Sequence, residues 1–174
     1  MYTAQLKNYG PFSIRYPRGY GVSHEWQKPF TEIEIGKGRE LRKGNDIAIL
    51  TIGHVGNFAA SACDKLEMEN IHAAHYDMRF VKPLDENLLK KIFKKFSQVI
   101  TVEDGVIAGG FGSAIIEYMS DHNFHANIRR LGIPDRFIDH GTQQELYHEC
   151  GFDEEGIIKA VKEMIKLKVY SKAI

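Results

Sequence analysis

IAILTIG, residues 47–53, is a continuous apolar run that closes on a glycine. A short run without polar alternation makes a strand covered on both faces, as in a parallel sheet between two layers of helices. Strand-like segments recur downstream at 71–78 (IHAAHYDM), 98–103 (QVITVE) and 127–133 (NIRRLGI). Helix-like segments fall between them. In 57–68, Phe58, Cys63 and Leu66 come near one face; in 85–97, Leu88, Leu89, Ile92, Phe93 and Phe96 form a stripe, with Asp85 as cap. A further helix covers 111–122. Thr142-Gln143-Gln144-Glu145 reads as a capping box that opens another, and 154–168 carries Ile157, Ile158, Val161 and Ile165 on one side. This alternation predicts a three-layer α/β fold, a mostly parallel sheet flanked by helices with right-handed crossovers.

Upstream of that core the pattern weakens. Residues 32–43 (EIEIGKGRELRK) alternate like an edge strand or hairpin, and 12–17 (FSIRYP) read as a short strand ended by proline. Residues 20–31 have no period and form the expected domain boundary. The organisation expected is the tail of a preceding domain at 1–19, a linker at 20–31 and the α/β domain at 32–174.

Composition narrows the class of function. The chain has 174 residues, 43% apolar and 26% charged, with 23 basic and 23 acidic side chains. A zero formal charge supplies no field to gather nucleic acid or an acidic membrane, so neither is an expected partner. No apolar run approaches the roughly 20 residues of a membrane span. The N-terminal MYTAQLKNYG lacks the basic and apolar segments of a signal peptide. Cys63 and Cys150 show no CxxC spacing and suit reduced thiols in a cytoplasmic protein.

Chemistry-bearing motifs are few. IAGGFGS (107–113) sits between a strand and a helix, where backbone N–H groups can cradle a phosphate. Its spacing fits neither GxGxxG nor a P-loop, and close helix–sheet packing is the preferred reading. TIGHVGN (51–57) lacks the third glycine of a dinucleotide fingerprint. His72 and His75 fall on opposite faces of a strand and cannot share a metal ion. In YDMRFVKPLDE (76–86), Arg79 is expected to pair with a nearby carboxylate while Pro83 and Asp85 set a helix start. IRYPRG (14–19) is the more promising piece: Arg18, held by a proline and released by Gly19, can offer a bidentate fork to a phosphate, or equally make a surface ion pair.

Read in order, IRYPRG, IGKG (35–38), DMRFVKPLDE (77–86), VITVEDGVIAGGFGSAI (99–115) and LGIPDRFIDHGTQQEL (131–146) resemble the end of the 1-deoxy-D-xylulose-5-phosphate synthase family, in the transketolase superfamily. The family commonly has Glu-Glu where this chain has Glu103-Asp104, which keeps the charge. The resemblance implies a thiamine-diphosphate- and Mg²⁺-dependent transferase. It would condense pyruvate with D-glyceraldehyde 3-phosphate, with loss of CO₂, toward isoprenoid, thiamine and pyridoxal precursors. It also implies a cytoplasmic homodimer whose cofactor lies between two earlier domains. The family's metal-binding GDG…N segment and its cofactor-activating glutamate have no counterpart here, so this segment alone is expected to bind no cofactor and to be inactive. One functional position maps: Arg18, the second arginine of RYPRG, resembles a contact to the phosphate of the aldehyde substrate.

Overall fold

In a computed structural model describing residues 1–6, 9–17, 21 and 28–171, the apolar run at 47–53 supplies the middle strand of a five-stranded sheet. Strands β1 (Arg39–Arg42), β2 (Ile47–Ile52), β3 (Ala73–Asp77), β4 (Gln98–Val106) and β5 (Asn127–Ile133) lie in the order β1-β3-β2-β4-β5. β1 pairs antiparallel with β3, and every other neighbour is parallel. The helices are α1 (Gly56–Met68), α2 (Glu86–Lys95), α3 (Phe111–Asp121), α4 (Gln143–Cys150) and α5 (Glu154–Ser171). The expected three-layer α/β class is the observed one.

Side-chain parity along the strands builds both cores. Ile47 and Ile49 of β2, Ala73 of β3, and Ile100 and Val102 of β4 point to one face. There they meet Ala59, Ala62, Cys63 and Leu66 of α1 and Ile157, Val161 and Met164 of α5. Ala48, Leu50, Ala74, Tyr76 and Val99 point the other way, onto Leu89, Ile92 and Phe93 of α2 and Phe111, Ile115 and Tyr118 of α3. Successive residues of a strand alternate faces, so an unbroken apolar run feeds two layers at once. Chain direction across the sheet reverses after β3. Right-handed crossovers therefore place α1 on one face and α2 and α3 on the other. Helix ends follow local chemistry: the Asp85 carboxylate accepts the Leu88 N–H at 3.0 Å, and Thr142 with Glu145 forms the expected capping box.

The upstream expectations need correction. Residues 12–17 form no strand and are mostly exposed. Two prolines bracket the segment, and extension without a hydrogen-bonded neighbour gains little. Within 32–43 the expected edge strand is present but shorter, Arg39–Arg42, at the edge of the sheet. Gly36 turns the chain at φ +72°, with the Pro83 ring where a side chain would stand. Residues 18–20 and 22–27, which take in most of the expected boundary loop at 20–31, lie outside the described residues. By proximity the chain divides into Met1–Ile35 and Gly36–Ile174. In the first unit Thr3 is buried and accepts the Ile33 N–H at 2.9 Å, while Met1, Tyr16 and Phe30 stand exposed.

One buried polar pair makes stability depend on pH. His75 of β3 is 1% exposed, and its Nε2 lies 2.9 Å from the Thr51 hydroxyl of β2. Burial pushes its pKa down to about 4, against a smaller opposing pull from Asp77. The unfolded chain thus takes up a proton that the folded one refuses. The stabilisation is full above pH 6.5 and fades as pH falls toward 4, a difference on the order of 3 kcal/mol. Denaturant titrations should find about 2 kcal/mol of this lost by pH 5. His75→Gln keeps a polar contact without titrating and should flatten that slope; an unchanged slope would rule His75 out as its source.

Candidate functional site

The reversal of strand order opens a crevice between the C-terminal ends of β2 and β4, where ligands of open α/β sheets usually bind. β2 runs into the 3₁₀ turn Gly53–Val55, which presents His54, and parity carries Asp104 of β4 to the same face. The His54 Nε2 lies 3.7 Å from Asp104 Oδ2 and 3.1 Å from the hydroxyl of Tyr147, on α4. The Tyr147 ring packs edge-on against Phe58 and lies beside Phe152, with centroids 5.6 and 5.0 Å apart. Burial first, and then Asp104, raise the Tyr147 pKa, so its hydroxyl stays protonated and able to donate. Tyr147 of α4 thus occupies part of this crevice, where the His54 and Asp104 side chains remain about a quarter exposed.

The glycine turn before α3 is filled as well. Val99, Thr101 and Glu103 share the α3 side of β4 by parity. Glu103 is buried, and its two carboxylate oxygens accept the N–H groups of Phe111 and Gly112, each at 2.8 Å. A carboxylate therefore occupies the anion position that a helix N-terminus creates. A Cβ on Gly110 would strike that carboxylate and the Val106 carbonyl; on Gly112 it would fall 2.5 Å from Thr101 Oγ1. Arg130 of β5 ties the turn down, bonding the Ile107 carbonyl at 2.5 Å and Ser113 Oγ at 2.8 Å. The packing reading of IAGGFGS is the one the geometry supports.

At the end of β3, Asp77 accepts from Arg39 Nε at 3.0 Å and from the Arg79 backbone N–H at 3.2 Å. Arg79 adopts φ +57°, with its Nε 3.9 Å from the same carboxylate. Asp85 caps α2 and also accepts the Gly38 N–H at 3.1 Å. This rim is a set of internal pairs, as expected from the sequence. Among the described residues no group of three or more His, Cys, Asp or Glu could hold a metal ion. The N–H cradle of the glycine turn, already filled by the Glu103 carboxylate, does not fit a diphosphate.

Arg18, the substrate contact expected from the sequence, lies outside the described residues. Sequence reasoning passed over His54, Asp104, Tyr147 and the buried role of Glu103. For Glu103 a signal existed. Residues 99, 101 and 103 alternate onto one face, and the glycines of the next turn leave N–H groups free to be bonded. His54 and Tyr147 are 93 residues apart, and no spacing connects them.

Comparison with known proteins matches residues 36–157 to the family described as transketolase, C-terminal domain. The chain is 58% identical, over 94% of its length, to 1-deoxy-D-xylulose-5-phosphate synthase of Cytophaga hutchinsonii, of which it covers 26%. It is 55% identical, over 92% of its length, to the synthase of that name from Bacteroides fragilis, covering 25%. It thus spans about a quarter of the length of these curated relatives. A solved structure titled split gene transketolase, inactive beta4 tetramer, superposes with a TM-score of 0.73 at 31% identity, over 79% of this chain and 45% of that one.

Proposed function

This chain belongs to the transketolase C-terminal domain family, and we propose that it is the third domain of a 1-deoxy-D-xylulose-5-phosphate synthase. The observation that carries the proposal is the 58% identity over 94% of the chain to a synthase of which it covers 26%. In this reading residues 1–19 are the tail of the pyrimidine-binding domain, 20–31 the linker and 32–174 the third domain. Exposed Met1, Tyr16 and Phe30 in the first unit suit a piece cut from a larger core. The complete enzyme, a cytoplasmic homodimer, joins pyruvate to D-glyceraldehyde 3-phosphate with release of CO₂, feeding isoprenoid, thiamine and pyridoxal synthesis. In this reading thiamine diphosphate and Mg²⁺ are held by its earlier domains. The third domain contributes a rigid support, with Tyr147 set into its crevice and Glu103 filling its glycine turn. Arg18 holds the phosphate of the aldehyde substrate.

Two measurements test this. The complete protein, with thiamine diphosphate and Mg²⁺, should release CO₂ from pyruvate only as 1-deoxy-D-xylulose 5-phosphate forms. Two-carbon transfer between sugar phosphates without CO₂ would make it a transketolase instead. Calorimetric titration of this 174-residue chain with thiamine diphosphate and Mg²⁺ should show no saturable heat. Micromolar binding would refute the placing of the cofactor in the earlier domains.

A further inference from the structure

We infer that the end of the sheet where the parallel strands finish is an interface, covered by the domains that precede this one in the same polypeptide, with Phe137 as its anchor. The inference rests on reading the chain as one part of a larger synthase. Three exposed apolar residues come in the chain where strands finish: Val81 four residues after β3, Val106 as the last residue of β4, and Phe137 four residues after β5. β3 and β5 are three strand spacings apart, so the strand ends that these residues follow spread over about 14 Å.

Phe137 is fully exposed, yet its loop is held on both sides. Arg136 bonds Glu149 of α4 at 2.9 Å and sends its backbone N–H to the Pro134 carbonyl at 2.8 Å. A few residues on, the chain enters the capping box of Thr142. The ring is thus presented on a fixed support, and a fixed aromatic side chain is the usual anchor of a protein interface.

The size of the surface argues for a tethered occupant. Two free proteins need about 800 Å² on each partner, some 20–30 residues a side, to associate stably. A domain joined by a short linker is already present at an effective concentration on the order of millimolar, and a few apolar contacts then suffice. About three quarters of the length of the relatives lies outside this chain, which provides such a partner.

Hydroxyl-radical footprinting of the unmodified complete protein tests the inference without any variant. After correction for intrinsic reactivity, Phe137 should be oxidised roughly tenfold more slowly than exposed Met68, as for a ring inside an interface core. The protection should survive dilution into separate subunits. Equal oxidation of the two residues would mean the surface is free, and protection lost on dilution would assign it to a second copy; either overturns the inference. The CO₂-release assay on the same preparation reads the synthase assignment independently, so one can fail while the other stands.

Discussion

Arg18→Ala in the complete protein is expected to lower kcat/KM for glyceraldehyde 3-phosphate by roughly 10- to 150-fold. A guanidinium making paired charge-assisted bonds to a phosphate contributes about 1.5–3 kcal/mol, at about 1.4 kcal/mol per decade of rate. Pyruvate carries no phosphate, so its half-reaction should change far less. Arg18→Lys should recover only part, because an ammonium is a point charge without the fork. Arg15, two residues before the proline, is the control: its loss should lower stability more than it alters substrate preference. Equal damage to both substrates would mean that Arg18 holds the domain junction and does not read the phosphate.

Gly110→Ala should be among the most destabilising single changes in the α/β domain. The added methyl group would meet the Glu103 carboxylate and the Val106 carbonyl. One of these is backbone, and the other is a buried charge with its two oxygens on fixed N–H donors. Overpacking alone costs about 1–3 kcal/mol, and weakening a charged hydrogen bond costs about 1.5–3 kcal/mol more. A loss of about 3 kcal/mol in a domain of this size lowers Tm by roughly 6–12 °C. The melting temperature of the complete protein, followed through the third domain, checks this. If stability were untouched while activity collapsed, the turn would have to touch a ligand, and the packing account would fail.

The fold was legible because its evidence is local and periodic. The run 47–53, the stripe of 85–97 and the Thr142–Glu145 capping box each carry their meaning within a few residues. β2, α2 and α4 appear within a residue or two of where they were expected. Residues 12–17 failed for the complementary reason: alternation describes a strand only if another strand lies alongside, and none of the described residues pairs there.

For the candidate site the division is sharper. Nucleic acid as a partner was disfavoured by charge balance, and the dinucleotide reading by glycine spacing; both are properties of the chain as written. Which N–H groups a buried carboxylate bonds is not such a property. Glu103 reaches the start of α3 because β4 and its crossover bring residues eight and nine positions apart into contact. His54 and Tyr147 meet across 93 residues because the fold brings α4 to the turn that follows β2. Periodicity and turn chemistry act over a few residues and are readable in one dimension. Closing a crevice or filling a helix terminus depends on which distant segments the sheet order makes neighbours, and only the tertiary structure decides that.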